Sequence, residues 1–183
     1  LSVILCEQND LASATSSAST KLIHGGLRYL EYYDFALVKK ALKEREILLN
    51  AAPHIIEPLR FLLPLHKGLR PAWLIRLGLF IYDHMGGRKI LPATTSTNLN
   101  EGKYKDILKN QYIKAYEYSD CRVDDARLVV LNAMTARDHG AQILTRHKCT
   151  SAVREDNHWL ITLENANNHK SYTIKAKALV NAA

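Results

Sequence analysis

The chain has 183 residues, of which 47% are hydrophobic and 23% charged, and its formal net charge is +7. This balance indicates a soluble globular domain and excludes a disordered chain. It also excludes an integral membrane protein, because no apolar run reaches the roughly 18 residues of a spanning helix. We find no signal-peptide pattern at the start. The three cysteines lack metal-ligand spacing, so we expect free thiols in a reducing compartment.

The chain opens with an apolar run, LSVILCE, that ends at Glu7. This run predicts a buried parallel strand with an acid at its carboxyl end. In dinucleotide-binding folds, such an acid closes the second strand and binds the adenosine ribose, whereas the alternative is a solvated strand end. None of the eight glycines forms the turn that precedes such a strand, and a further apolar run closes the sequence. We therefore expect a piece cut from a longer chain at both ends.

Two helices are predicted in the first half. Hydroxyl-rich residues 13–20 resist regular structure, and then Asp34 caps a helix that runs to about Ala51. A second helix spans Pro71–His84, with Pro at its start and Gly86-Gly87 after its end. Five charged residues of the first helix are predicted to face solvent, namely Lys39, Lys40, Lys43, Glu44 and Glu46.

The second half is predicted to be rich in strands. Asp124 caps a third helix from Asp125 to about His139, and Gly140 ends it, whereas residues 89–110 are expected to be irregular or weakly helical. The predicted strands are Leu59–Leu65, Tyr112–Asp120, Gln142–Thr145, Lys148–Arg154, Trp159–Glu164, Lys170–Lys175 and Ala178–Asn181.

This order predicts an α/β nucleotide-binding domain interrupted by an inserted α+β cap. We expect residues 1–56 to form the first part of the domain, residues 57–120 the cap, and residues 121–183 the rest of the domain. Residues 66–115 hold nine basic and three acidic residues, which account for six of the seven net charges. This segment predicts either an anionic neighbour or a solvated basic surface.

Three stretches together resemble one family: ATSSASTKLIHGGLRYLE (14–31), RPAWLIRLGLFIYDHMG (70–86) and EYSDCRVDDARLVVLNA (117–133). They are similar to the aerobic FAD-dependent glycerol-3-phosphate dehydrogenases, which belong with the D-amino-acid-oxidase-like flavoproteins. The resemblance extends over the whole chain, with Thr20 where Ser is common. It implies part of a glutathione-reductase-like, FAD-binding Rossmann domain with an inserted substrate segment.

The resemblance also implies which residues bind FAD. Glu7 matches the acid that binds the ribose, and Cys149 matches a position whose backbone contacts the adenine. Lys21, Leu22 and His24 match positions near the isoalloxazine ring, although a core histidine is the alternative for His24. Five hydroxyl-bearing residues match the segment along the pyrophosphate and ribityl chain: Thr15, Ser16, Ser17, Ser19 and Thr20.

Arg28 and Tyr29 match the substrate-binding pair of the family. The implied substrate is sn-glycerol 3-phosphate, whose phosphate suits the fork of donors on Arg; a surface arginine paired with Glu31 is the alternative. The implied reaction moves a hydride from the substrate C2 to flavin N5, which yields dihydroxyacetone phosphate. His24 is a candidate catalytic residue by location only, and the base stays unassigned.

The resemblance further implies partners and a location. Family members pass electrons to quinone as peripheral enzymes on the cytoplasmic side of the membrane. The resemblance also allows a homodimer of the full-length enzyme. Residues 73–82 form either an interfacial helix on anionic lipid or a core helix of the cap. Two other functions stay open: an inactive truncated remnant without flavin, and a basic module that binds anions or lipid. Nucleic acid is not expected, because the basic residues lack an RNA-binding signature.

Overall fold

The computed structural model describes residues 1–182, which divide into two compact units. One unit combines Leu1–Ser19 with the residues from Asp125 onward, and the other is Thr20–Asp124. The helices are α1 (Phe35–Ala51), α2 (Ala72–Met85) and α3 (Asp125–Asp138). The strands are β1 (Ile4–Glu7), β2 (Leu22–Ile23), β3 (Ile56–Pro64), β4 (Thr95–Asn98), β5 (Lys114–Val123), β6 (Gln142–Thr145), β7 (His147–Glu155), β8 (His158–Asn165) and β9 (Ser171–Ala176).

The first unit contains a parallel strand pair and an antiparallel sheet. β1 runs parallel to β6, and the register sets Glu7 opposite Thr145, which confirms the predicted parallel strand. The prediction that β1 is buried is wrong for the described residues, since three of its four residues are exposed. The physical reason is that β1 and β6 form a sheet of only two strands here, which leaves much of their surface uncovered.

The last three strands form the antiparallel sheet in the order β7, β8, β9, with Leu163 of β8 fully buried. All three lie within a residue or two of their predicted bounds, because alternating apolar residues mark each of them. The strand predicted at Ala178–Asn181 is wrong for the described chain. No strand among residues 1–182 pairs with that segment, and Val180 is 83% exposed.

In the second unit β5 is the central strand. β3 pairs with it from Ile56 opposite Val123 to Pro64 opposite Ala115, while β2 and β4 pair with the two ends of its other edge. Because β3 is an edge strand, it tolerates its prolines. β4 contradicts the predicted irregular segment: its sequence, TSTN, has no apolar alternation, so only its pairing with β5 makes it a strand.

α1 and α2 pack together around Val38, Leu42 and Tyr82. The cap predicted for α1 is confirmed, because the Asp34 carboxylate accepts the Leu37 N–H at 3.2 Å. Glu46 is 7% exposed, so its predicted place on the solvent face of α1 is wrong. Its carboxylate instead accepts the N–H groups of two residues that follow α2. Within residues 1–182, no helix is long and apolar enough to cross a membrane.

The second unit begins earlier than the predicted cap. It includes β2 and α1, which the sequence had placed with residues 1–56, and it ends close to the predicted boundary at residue 120. The physical reason is that β2 pairs with β5 and α1 packs against α2, so these elements share one core with the cap segment. The assignment of residues 1–56 and 121–183 to cofactor binding stays a prediction.

Candidate functional site

A cavity of about 500 Å³ lies within the second unit, beside the Gly25-Gly26 turn. The ring of Phe61 stacks on that of Tyr118 with 5.4 Å between centroids, and both rings line the cavity. Guanidinium, imidazole and phenol groups converge on the same space, a set that suits a small, anionic, polyhydroxylated ligand. The lining residues are Leu22, His24, Gly26, Leu27, Arg28, Tyr29, Tyr32, Phe61, Tyr118 and Asp120.

The two glycines shape the turn beside the cavity. A Cβ added to Gly25 would lie 2.2 Å from the Leu42 side chain and 2.7 Å from the Tyr82 hydroxyl, so no larger residue fits. Gly26 has φ of +70°, a left-handed conformation that glycine adopts at little cost. A short 3-10 helix starts directly after it and carries Arg28 to the cavity.

His24 is held by the same turn. Its Nδ1 accepts the Gly26 N–H at 3.0 Å, so a neutral ring carries its proton on Nε2. The ring is exposed and lines the cavity, which makes the alternative of a core histidine wrong. The arrangement offers an N–H donor at Nε2.

The Arg28 guanidinium faces the cavity without an ion pair. Glu31, its alternative partner from the sequence, instead accepts from Arg70 with 3.3 Å between Oε1 and Nε. Across the described residues, the Arg28 side chain has no hydrogen bond or salt bridge, so its donors stay available to a ligand. Tyr29 is 47% exposed and lines the same cavity.

Behind the turn lies a buried polar network that sequence analysis did not identify. The Gly25 N–H donates to the Tyr82 hydroxyl at 2.7 Å and to Asp120 Oδ1 at 3.3 Å. Tyr82 donates to Asp120 at 2.8 Å, and Arg45 donates to the same carboxylate at 2.6 Å. No local pattern reveals such a network, because its members come from a loop, both helices and β5.

Lys21 and Leu22, both predicted to lie near the isoalloxazine ring, line different cavities in the structure. Leu22 of β2 lines the main cavity, whereas Lys21 lines a second, more polar cavity of about 450 Å³ with Glu57 and Arg122. Lys21 has φ of +60°, and its carbonyl accepts the Val123 N–H at 2.9 Å. The backbone of Lys21 therefore connects β2 to the end of β5.

The other predicted cofactor residues lie in the first unit. Glu7 ends β1, half-buried, and one of its carboxylate oxygens accepts the Asn9 N–H at 2.8 Å. Cys149 is exposed at a bulge of β7, where its thiol donates to the Ser151 carbonyl at 3.6 Å. All three cysteines are free thiols, as the sequence predicted. Residues 1–182 contain no group of three acids, histidines or cysteines able to hold a metal ion.

The hydroxyl-rich segment forms a 3-10 turn at Thr15–Ser17. Ser17 donates to the Ala12 carbonyl and Ser19 donates to the Asp125 carboxylate, both within the first unit. Ser16 is half-buried and Thr15 is exposed. The protons of Ser17 and Ser19 are thus engaged inside the chain, and either hydroxyl must rotate before it donates to a phosphate.

The chain is similar to known proteins along its whole length. The family model described as DAO, FAD dependent oxidoreductase, matches residues 1–183. D-erythritol 1-phosphate dehydrogenase of Brucella abortus is 56% identical over 183 residues, which are 100% of this chain and 36% of that protein. Glycerol-3-phosphate dehydrogenase of Pseudomonas aeruginosa is 58% identical, covering 100% and 35% respectively. Aerobic glycerol-3-phosphate dehydrogenase of Escherichia coli is 53% identical, covering 100% and 36%.

The chain therefore spans about a third of the length of these relatives. Among solved structures, the glycerol-3-phosphate dehydrogenase from Bacillus halodurans complexed with FAD has a TM-score of 0.69 and 28% identity. This similarity covers 100% of this chain and 29% of that one. L-alpha-glycerophosphate oxidase from Mycoplasma pneumoniae with FAD bound shares the fold, with a TM-score of 0.68, 17% identity, and 99% and 47% coverage.

Proposed function

Because the chain belongs to the FAD-dependent oxidoreductase family, we propose that the protein containing it oxidises sn-glycerol 3-phosphate to dihydroxyacetone phosphate, as a step of glycerol metabolism. The observation that carries this proposal is the convergence of His24, Arg28 and Tyr29 on one cavity beside the Gly25-Gly26 turn. Relatives that are 53–58% identical and bear the names of polyol-phosphate dehydrogenases support it.

In each unit, taken by itself, some residues have chemistry that suits part of FAD. In the first, the Glu7 carboxylate at the end of a parallel strand has the chemistry to accept the two hydroxyls of a ribose. In the second, the Gly25-Gly26 turn presents backbone without side chains, which lets a planar ring approach closely. FAD, when bound, supplies the two-electron acceptor that no amino-acid side chain provides.

Arg28 is the residue we propose for the substrate phosphate. Its guanidinium has five N–H donors in a planar fork, and no carboxylate among the described residues pairs with it. Tyr29 both donates and accepts, so it suits a substrate hydroxyl, and His24 donates from Nε2. These three residues bind and orient a phosphorylated polyol while the Phe61 and Tyr118 rings exclude water from one wall.

The test uses the full-length protein that carries this chain. A bound flavin, seen in the visible spectrum, separates an enzyme from an FAD-free remnant. We expect dye reduction with sn-glycerol 3-phosphate and none with glycerol, because glycerol has no phosphate for Arg28 to bind. D-erythritol 1-phosphate is the comparison substrate, and a higher kcat/KM for it reassigns the substrate. A protein that contains no flavin but binds anionic vesicles contradicts the proposed enzymatic function. That result favours the basic module that binds anions or lipid.

We also propose that electrons pass to a quinone and that the protein lies on the inner, cytoplasmic face of the membrane. α2 supports the membrane part of this proposal: Trp73, Leu77 and Phe80 are exposed along one face, whereas Leu79 and Tyr82 point into the core. Helices that expose aromatic residues near basic ones bind at the bilayer interface.

A homodimer of the full-length protein belongs to the same proposal, and sedimentation velocity in detergent tests it.

A further inference from the structure

Three buried polar side chains lie behind the Gly25-Gly26 turn, and none of them is assigned a task in the proposed reaction. Arg45 of α1, Tyr82 of α2 and Asp120 of β5 are each at most 3% exposed. Burying charges is costly unless each is paired and hydrogen-bonded. Here the three side chains converge on one another, and two of them also bind the backbone N–H of Gly25.

The direction of each hydrogen bond in this network is fixed. Burial, together with the nearby Asp120 carboxylate, raises the pKa of Tyr82, so its hydroxyl keeps its proton. The hydroxyl therefore donates to Asp120 and uses its oxygen to accept the Gly25 N–H at 2.7 Å. Arg45 fixes the carboxylate from the other side and also donates to the Ser119 carbonyl at 3.1 Å.

The Gly25 backbone connects the buried network to the ring of His24. Gly25 separates His24 from Gly26, and the Gly26 N–H donates to His24 Nδ1 at 3.0 Å. A rotation of the Gly25 backbone would turn this N–H away from Nδ1 and release the ring. Gly25 itself cannot shift toward α1 and α2, because Leu42 and Tyr82 already fill the space where a Cβ would lie.

We propose that Tyr82 and Asp120 are positioning residues that hold the Gly25 amide and thereby keep the His24 ring oriented, with Nδ1 accepting the Gly26 N–H and Nε2 directed to donate into the cavity. His24 is then a hydrogen-bond donor to a substrate oxygen and not the proton acceptor of the reaction. This inference rests on the proposed function for the identity of the substrate, whereas the hydrogen bonds that hold the ring do not depend on it.

Tyr82→Phe in the FAD-loaded, full-length protein tests the proposal, with Tyr116→Phe as the matched control. Tyr116 is also a buried tyrosine, and its hydroxyl donates to the Ala72 carbonyl at 3.0 Å, remote from Gly25. The loss of one hydrogen bond should lower kcat for sn-glycerol 3-phosphate about three- to tenfold. KM should stay within about twofold, because Arg28 keeps the phosphate contact, and the control should match the wild type.

A second measurement reports the ring directly. In protein labelled with 15N-histidine, NMR shifts distinguish a protonated Nε2 from a protonated Nδ1, and His24→Gln assigns the signal. We expect the Nε2–H form in the wild type and in Tyr116→Phe, and a mixture of forms in Tyr82→Phe. Asp120→Asn should give the same mixture, whereas Glu117→Gln, a buried ion-paired carboxylate on the same strand, should not.

Two outcomes overturn the inference. One is a kcat and a His24 signal in Tyr82→Phe that match those of Tyr116→Phe, even if the melting temperature falls. The other is an Nδ1–H ring in the wild type. A wild type that binds FAD but does not oxidise sn-glycerol 3-phosphate contradicts the proposed substrate and not the positioning role. The NMR comparison of the variants then tests the positioning role by itself.

Discussion

Two arginines of the second unit illustrate how surroundings decide what a residue does. Arg45 is 3% exposed and is engaged by Asp120 and Glu46, so its charge is used within the protein. Arg28 lines the cavity and has no partner among the described residues. A buried, paired arginine holds structure together, whereas an exposed, unpaired one at a cavity is suited to bind an anion.

Arg28→Lys in the full-length protein should therefore harm substrate use and spare FAD content. Lysine keeps the charge and loses the planar fork. We expect kcat/KM for sn-glycerol 3-phosphate to fall about ten- to a hundredfold, the scale of one charge-assisted hydrogen bond. Arg70→Lys is the control, since Arg70 is exposed and pairs with Glu31. Loss of flavin with unchanged turnover per flavin would make Arg28 a cofactor or structural residue.

Glu7→Gln should weaken FAD binding without altering substrate selectivity. The amide can accept a hydrogen bond through only one of its two polar atoms, so one ribose contact is lost. About ten- to a hundredfold weaker FAD binding is expected, measured by flavin fluorescence on dissociation. Glu155→Gln, at the exposed end of β7, is the control. Equal FAD affinity in the two variants would make Glu7 a solvated strand end.

At the scale of elements, α2 buries one face in the core and exposes another. Leu79 and Tyr82 are buried against α1, while Trp73 and Phe80 are 69% and 52% exposed. The helix turns 100° per residue, so positions 73, 77 and 80 share one face and positions 79 and 82 another. One face of α2 therefore completes the core, and the other is available to a partner.

The double variant Trp73→Ser/Phe80→Ser should weaken binding to anionic lipid vesicles and leave the fold intact. Two exposed aromatic side chains contribute apolar area that is buried only in the bilayer, so the partition coefficient should fall at least about tenfold. Vesicle flotation of the full-length protein measures this. Ile107→Ser is the control, because Ile107 is 64% exposed outside α2. Equal flotation of all three proteins would remove α2 from the membrane proposal.

At the scale of the whole molecule, the two units differ in how complete their cores are. Residues Thr20–Asp124 enclose α1 and α2 against a four-stranded sheet, with Leu42 and Leu79 fully buried. The first unit contains a parallel strand pair whose β1 is largely exposed. Parallel sheets are usually covered on both faces, so this pair alone gives little stability.

A polypeptide of residues 20–124 should therefore fold cooperatively by itself, whereas one of residues 57–120 should not. The shorter piece lacks β2 and α1, and with them Val38, Leu42 and Arg45, which leaves Asp120 buried without its cation. Circular dichroism during thermal unfolding measures both. A sharp transition in the shorter piece would show that the boundary predicted from the sequence, near residue 57, is the folding boundary.

The amino-acid sequence determined the local elements and the family. Asp34 and the apolar spacing after it predicted α1, alternation predicted β7, β8 and β9, and the stretch KLIHGGLRYL carried His24 and Arg28 into one candidate site. Helix caps and the alternation of side chains depend on residues only a few positions apart along the chain. A local sequence pattern therefore contains the information that predicts them.

Only the tertiary structure decided which polar residues are buried. Glu46 lies among charged residues of α1, and this charge pattern predicts that its side chain faces solvent. Residues after α2 cover it instead. The strand at Thr95–Asn98 exists because β5 offers it an edge, and Asp120 binds Arg45 from 75 residues away. Such contacts depend on where distant segments meet in the folded core, and no local pattern records that meeting.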